Sequence, residues 1–170
     1  GLKEEGNLIL VIGKTEGHLE QTIFAREIIS EKKGPPPEIN LFNEKNNGLT
    51  VSKLIKDNLI ESCHDISLGG ILVAASKMCI ISNKGMKINN LKNLMNKFEY
   101  FFSEDQGRYL VEINKDNFKK VEKVLIDNSV HFDELGVVNN DKILFSDEIN
   151  LSIEDLIKAY KNWLKKYMVN

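Results

Sequence analysis

Cys63-His64-Asp65-Ile66-Ser67-Leu68-Gly69-Gly70, running straight into Ile71-Leu72-Val73-Ala74-Ala75-Ser76-Lys77-Met78, sets a histidine, a carboxylate, a hydroxyl and two glycines at one strand-to-helix turn. The short apolar run over 60–63 predicts a buried strand, and 69–82 predicts a helix with an almost unbroken apolar surface. Ser67 stands where an N-cap belongs. A helix start offers unpaired N–H groups and a partial positive charge, and glycines permit close approach of an anion. An adjacent carboxylate can hold a divalent cation, so the turn has the chemistry of a nucleotide phosphate carrying Mg²⁺. The same residues also suit a cap and turn built for packing alone, and residue types leave both readings open. Neither G-x-x-x-x-G-K-[ST] nor G-x-G-x-x-G is present.

Upstream of this corner, the continuous apolar run over 7–12 ends at Gly13 and predicts a buried strand. Leu19, Ile23, Ile28 and Ile29 lie near helical spacing, which predicts a helix over 19–29. Gly34 and the prolines at 35, 36 and 37 forbid its continuation and make a stiff connector. Leu41, Phe42, Leu49, Leu54 and Ile55 then suggest a second helix over 41–59, interrupted or frayed at Asn46-Asn47-Gly48.

Downstream, Asn83-Lys84-Gly85 stops the helix and Met86-Lys87-Ile88 reads as a short strand. A short helix is expected over 90–97. Phe98 to Phe102 leads into the polar turn Ser103-Glu104-Asp105-Gln106-Gly107-Arg108, and 109–113 reads as a strand. An amphipathic helix is predicted over 114–128, because Phe118, Val121, Val124 and Leu125 share one face and lysines cover the other. Phe132 to Val138 and Lys142 to Phe145, joined by Asn139-Asn140-Asp141, predict a hairpin. In the final helix Ser152 and Asp155 occupy N-cap and N3, Leu151 and Leu156 are spaced as a hydrophobic staple, and Tyr160, Trp163, Leu164 and Tyr167 continue the expected buried face. The alternation of helices and strands predicts one α/β or α+β layer domain over 1–170.

With 170 residues, 42% hydrophobic and 28% charged, the chain can bury a core without disulfides or metal, and a formal charge of −2 gives no sign of a nucleic-acid surface. Arg26 and Arg108 are the only arginines. Cys63 and Cys79 belong to no C-x-x-C pair, so a reduced, cytoplasmic setting is expected. No stretch reaches the roughly 18 apolar residues needed to span a bilayer, and the first residues are no signal peptide. A start at Gly1 rather than Met fits a processed start or, equally, a piece cut from a longer polypeptide.

Four landmarks occur in order: the apolar strand with Gly13, Gly17, His18 and Leu19; the triple proline; His64-Asp65-Ile66-Ser67-Leu68-Gly69-Gly70; and the stretch from Phe101 through Ser103-Glu104-Asp105-Gln106 to Val111. Together these resemble, over essentially all 170 residues, the C-terminal domain of the phosphoribosylformylglycinamidine synthases. The resemblance implies the C-terminal module fold of the aminoimidazole ribonucleotide synthetase superfamily, a mixed sheet with helices packed on it. It also implies a parent chain that uses ATP to convert formylglycinamide ribonucleotide and glutamine-derived ammonia to the amidine in purine biosynthesis. The implied partners are the upstream modules of the same chain, a glutaminase subunit and a small bridging subunit. The family's catalytic histidines lie upstream, so no catalytic residue is assigned here and the isolated domain is expected to be inactive.

By the same resemblance, Asp65 would hold Mg²⁺, and Ser67 with Gly69 and Gly70 would contact ATP or ADP at an auxiliary site. Glu104, Asp105 and Gln106 match a loop whose counterpart in the earlier module touches substrate, although a structural role is the first expectation here, with Arg108 pairing to Glu104 or Asp105 to hold the turn. The chain departs from the family pattern at Leu68, where an acidic residue is usual, and at Glu20-Gln21-Thr22, where Gly-x-Ser is usual. His64 reads as a hydrogen-bonded core residue, and His18 and His131 sit in no pattern that makes a metal site. Two other readings remain: the C-terminal domain of a different ATP-using kinase or synthetase of the superfamily, and a non-catalytic binding module with a degenerate site.

Overall fold

The computed structural model describes residues 1–31, 33–89, 96–147 and 149–169, with backbone alone at 164–166 and 169. The strands are β1 (Leu8–Ile12), β2 (Ser62–Ile66), β3 (Gly85–Ile88), β4 (Arg108–Ile113), β5 (Phe132–Asn139), β6 (Ile143–Phe145) and β7 (Asn150–Ser152). The helices are α1 (Leu41–Lys56), α2 (Gly70–Ser82), α3 (Lys97–Phe102), α4 (Phe118–Asp127) and α5 (Ile153–Val169). Among the described residues the strands form one seven-stranded mixed sheet in the order β2-β4-β1-β5-β3-β6-β7. The helix expected over 90–97 falls mostly outside the described residues.

Strand alternation divides the core between the two faces of this sheet. Ile9, Val11, Ile66 and Leu110 point toward α2, α3 and α5 and join Ile71, Met78, Tyr100 and Ile153 in one apolar cluster. Leu10, Ile12, Val111 and Ile113 point the other way and pack with Val51 and Leu54 of α1 and Val121 and Leu125 of α4. Each fully buried Ile or Leu side chain contributes about 1.5–3 kcal/mol of transfer free energy, so β1, closed on both faces, is the natural centre. Glu112 is fully buried within β4. Its carboxylate accepts hydrogen bonds from Lys3 N, Glu4 N, Asn7 Nδ2 and Ser62 Oγ, fastening the amino-terminal segment to the start of β2.

Several local expectations are corrected. Of the helix expected over 19–29, residues 23–29 are helical, the last five as a π-helical turn at Ala25–Ile29, while 19–22 form a turn, and Ile28 and Ile29 are exposed. The later start has a local and a tertiary cause: Thr22 Oγ1 accepts from Ala25 N, and Glu104 Oε1 accepts from Ile23 N, one of the N–H groups a helix start leaves unpaired, while Asp105 takes the N–H groups of residues 16–18 just ahead of the segment.

Helix α1 runs unbroken through Asn46-Asn47-Gly48. Asn47 is buried and donates from Nδ2 to Gly107 O at 3.0 Å, Asn46 donates to Asn128 O, and Gly48 lies against the Tyr109 hydroxyl. Leu41, Phe42, Leu49 and Ile55 face solvent, so this helix is seated largely by Asn47, Thr50, Val51 and Leu54.

β5 and β6 do not form a hairpin, because β3 lies between them, antiparallel to β5 and parallel to β6. Met86 and Ile88 become buried only when β3 is flanked on both sides. Gly85 permits that approach: a Cβ there would lie 2.2 Å from Asn139 Oδ1 and 2.4 Å from Ile143 O.

β2 is an edge strand with alternating exposure, not a buried one, and it includes His64 and Asp65. At the carboxyl end of the chain Ser152 Oγ accepts weakly from Asp155 N at 3.4 Å, as the cap requires. Leu151, Ile153, Leu156 and Ile157 dock on the α2-side cluster, whereas Tyr160, Trp163 and Tyr167 are exposed and Leu164's side chain lies outside the described residues.

Candidate functional site

The turn between β2 and α2 is built by two glycines in the left-handed region, Gly69 at φ +84° and Gly70 at φ +69°. Gly69 is the N-cap of α2, displacing Ser67 from that role, and Gly70 N donates to Ser67 O at 3.0 Å to close the turn. A Cβ on Gly70 would meet Phe101 O at 2.5 Å and Ser103 O at 2.7 Å, so α2 starts hard against the backbone between α3 and β4. The helix start is not vacant for an anion. Gly69 N donates to Glu104 Oε1 at 2.8 Å, and the same oxygen accepts from Ile23 N at 2.9 Å.

Asp105 works in parallel. It is 6% exposed, Oδ2 accepts from Glu16 N and Gly17 N, and Oδ1 accepts from His18 N. Behind it Arg108 is fully buried, donating to Thr15 Oγ1 at 2.9 Å, Ser103 O at 2.7 Å and Asp105 O at 3.2 Å, with Nη1 3.8 Å from Asp105 Oδ2. Burial pulls the Arg108 guanidinium below its ordinary value, opposed by the Asp105 carboxylate. Arg108 therefore holds this turn through Asp105, while Glu104 reaches the opposite way to α2. Gln106 is exposed between two cavities.

Asp65 and Ser67 part company. Asp65 pairs in register with Tyr109, whose side chain packs on the α1 and α4 side of the sheet, so by alternation Asp65 leaves β2 on the face opposite α2. Its side chain is 69% exposed. Its charge reaches its neighbours: the Cys63 thiol is pushed up to about 11, first by burial and then by Asp65. His64, half-buried rather than buried, turns its Nδ1 toward the Asp65 carbonyl.

Ser67 and Leu68, with Glu20, Thr22, Glu104 and Gln106, border a cavity of about 160 Å³. Ligand pockets for whole cofactors run to roughly 300–1,000 Å³, so this cavity by itself does not enclose a nucleotide. The carboxylate of Glu104 already sits on the N–H that a phosphate oxygen would use. Among the described residues no group of three His, Cys, Asp or Glu side chains is placed to hold a metal ion. Among the described residues this corner presents Ser67 to the cavity and Asp65 to the other face, and does not make a complete Mg-nucleotide site.

A larger polar cleft, about 930 Å³, opens beyond Asp105 and was not legible in the sequence. The loop after β1, the start of α1 and the start of β5 wall it, contributing Lys14, Glu16, His18, Asn43, Glu44 and His131. Its charges are largely paired locally: Lys14 Nζ lies 2.8 Å from Glu16 Oε1, His18 Nε2 lies 3.0 Å from Pro35 O, and His131 Nε2 lies 3.4 Å from Asp133 Oδ1. These residues come from segments with no shared sequence pattern, and only the curl of the sheet brings them to one place.

Among proteins of known identity, the chain is similar to the phosphoribosylformylglycinamidine synthase subunit PurL of Pelagibacter ubique. The two are 59% identical over 169 residues, which is 99% of this chain and 23% of that protein. The chain thus spans about a quarter of the length of this relative. Two solved structures of Thermotoga maritima PurL, one complexed with FGAR and one with ATP, superpose with TM-scores of 0.72 and 0.69. At 17% and 16% identity, covering 91% and 92% of this chain and 28% and 26% of theirs, they establish the fold. The family described as AIR synthase related protein, C-terminal domain, matches residues 4–147, and the chain belongs to that family.

Proposed function

We propose that this chain is the C-terminal module of a phosphoribosylformylglycinamidine synthase, the ligase that uses ATP to turn formylglycinamide ribonucleotide into the amidine with glutamine-derived ammonia. The observation that carries this reading is the 59% identity to a PurL subunit along 169 residues. In this reading the module supplies packing surface and no reacting group, because Glu104, Asp105 and Arg108 are engaged with the chain's own backbone and with one another. ATP and Mg²⁺ are then cofactors of the whole enzyme. The glutaminase subunit, the bridging subunit and the upstream modules are its partners in the cytoplasm. The alternative of another ATP-using superfamily member is disfavoured by that identity.

An auxiliary nucleotide site falls at the β2–α2 corner, with Asp65 offered to Mg²⁺ and Ser67 to phosphate. What supports it is that both residues are exposed on either side of the turn shaped by Gly69 and Gly70, Ser67 at the cavity and Asp65 on the face opposite α2, so a bound nucleotide would have to reach Asp65 around the edge of β2. Upstream modules must contribute the remaining walls, and Gln106 at the rim of the same cavity is placed to face the seam.

Two measurements on the full-length protein test the reading. Deleting these 170 residues should abolish ATP-dependent amidine formation, and activity that survives the deletion would sink the module's role. Asp65→Ala with Ser67→Ala should lower the nucleotide retained through gel filtration. If retention and thermal stability both stay unchanged, the auxiliary site is wrong.

A further inference from the structure

Helix α5 keeps one chemical face along its length but changes what lies beneath it. At 100° per residue, positions 153, 156, 157, 160, 163, 167 and 168 fall within an arc of roughly 140°. On that arc Ile153 is fully buried, and Leu156 and Ile157 pack against the α2-side cluster. Further along the same arc Tyr160 and Trp163 are each 60% exposed, Tyr167 72% and Met168 75%. The opposite side carries the Glu154–Lys158 pair at 2.8 Å and Asp155, as a solvated face should. Single exposed apolar residues are ordinary, but three aromatics and a methionine in one row are not. Aromatic side chains bury on the order of 150–250 Å² each, so covering this row would hide roughly 500 Å² on this side, the scale of an interdomain contact.

We propose that the outer half of α5 is the seat of the upstream part of the full-length polypeptide, gripped by Tyr160, Trp163, Tyr167 and Met168; this rests on the reading of the chain as one module of a longer synthetase. The family match ends at 147, ahead of β7 and α5. The PurL relative nevertheless matches across 99% of this chain while being about four times its length. The stripe is therefore outside the shared domain core and is carried where three quarters of the polypeptide lies elsewhere. A tethered segment meets this face at an effective concentration near millimolar for a short flexible linker, which favours it over any free partner. Tyr and Trp are the side chains that most often dominate such contacts.

Photo-cross-linking in the full-length protein tests this. With p-benzoylphenylalanine incorporated in place of Trp163, irradiation should give monomeric product cross-linked within one polypeptide to residues upstream of Gly1. Product joining two copies, product joining another protein, or cross-links confined to these 170 residues would each overturn the proposal. A second readout is Trp163→Ser combined with Tyr167→Ser, which should raise amide exchange at 158–169 at least about tenfold in the full-length protein; exchange unchanged from wild type overturns it as well. Catalysis separates the two levels. A polypeptide that cross-links upstream yet forms no amidine removes the assigned activity and leaves this surface standing, and an active one without such cross-links does the reverse.

Discussion

Asp105 and Asp65 are aspartates beside neighbouring strands, and the fold treats them oppositely. Asp105, just ahead of β4, is 6% exposed and accepts three backbone N–H groups from residues 16–18, with Arg108 behind it. Asp65, on β2 opposite Tyr109, is left with a side chain 69% exposed. Glu104 follows Asp105's pattern, bridging Ile23 N and Gly69 N with one oxygen. A loop buried against a sheet must satisfy its N–H groups, and a nearby carboxylate does so with charge-assisted bonds stronger than neutral ones. Acidity in a motif is thus no sign of catalysis by itself; what decides is whether unpaired backbone donors lie within reach.

The comparison can be broken most severely at the shared hinge. Gly70→Ala forces a positive φ on a residue with a Cβ and drives that Cβ to within 2.5 Å of Phe101 O. We expect a loss of about 4 kcal/mol or more in urea unfolding, or failure to fold. Arg108→Ala should lose about 3–5 kcal/mol, because it strands the buried Asp105 carboxylate and Ser103 O. Asp105→Ala should lose about 3 kcal/mol by leaving three N–H groups without their acceptor. The two are in contact, so the double variant should lose less than the sum, and simple additivity would show that the pair does not act as a unit.

Smaller effects sharpen the contrast. Glu104→Gln keeps one carbonyl oxygen for Ile23 N and Gly69 N but surrenders the charge, for an expected loss of about 1 kcal/mol by thermal denaturation. Asp65→Ala should change stability by less than about 0.5 kcal/mol, as an exposed surface substitution does. A loss matching that of Asp105→Ala would erase the distinction between the two aspartates. Asp65→Ala should also move the pH profile of Cys63 alkylation toward lower pH. The thiol stands at about 11, and Asp65 is the second cause of that rise after burial. With the negative charge gone the thiolate forms more easily, while the burial contribution stays, so the shift is partial.

How far the sequence could be read follows the range of the forces involved. α4 was legible because Val121 and Leu125, with Phe118 and Val124 beside them, repeat at helical spacing and the fold buries that face. β1 and β4 were legible as apolar runs closed by polar turns. The helix over 19–29 was misread only at its start: its helical spacing is real, but the helix begins at 23, where Thr22 Oγ1 and the distant Glu104 carboxylate take the first N–H groups. The β5–β6 hairpin was misread because the Asn139-Asn140-Asp141 turn signal does not reveal that β3 will enter between the strands. For α5 periodicity told which face is apolar, and it could not tell where the body beneath that face ends.

The corner that first suggested a phosphate site shows the same division. The sequence by itself determined that a strand, a glycine turn and an apolar helix follow one another over 60–82, and that the ordered landmarks belong to the AIR synthase related C-terminal domains, because these depend on local pattern. Only the tertiary structure decided that Glu104 occupies the first N–H of that helix, that Asp65 leaves the strand on the far face, and that Tyr160, Trp163 and Tyr167 stay bare. Those outcomes depend on which donors, acceptors and apolar surfaces distant segments bring within a few ångströms of one another, and no local spacing carries that information.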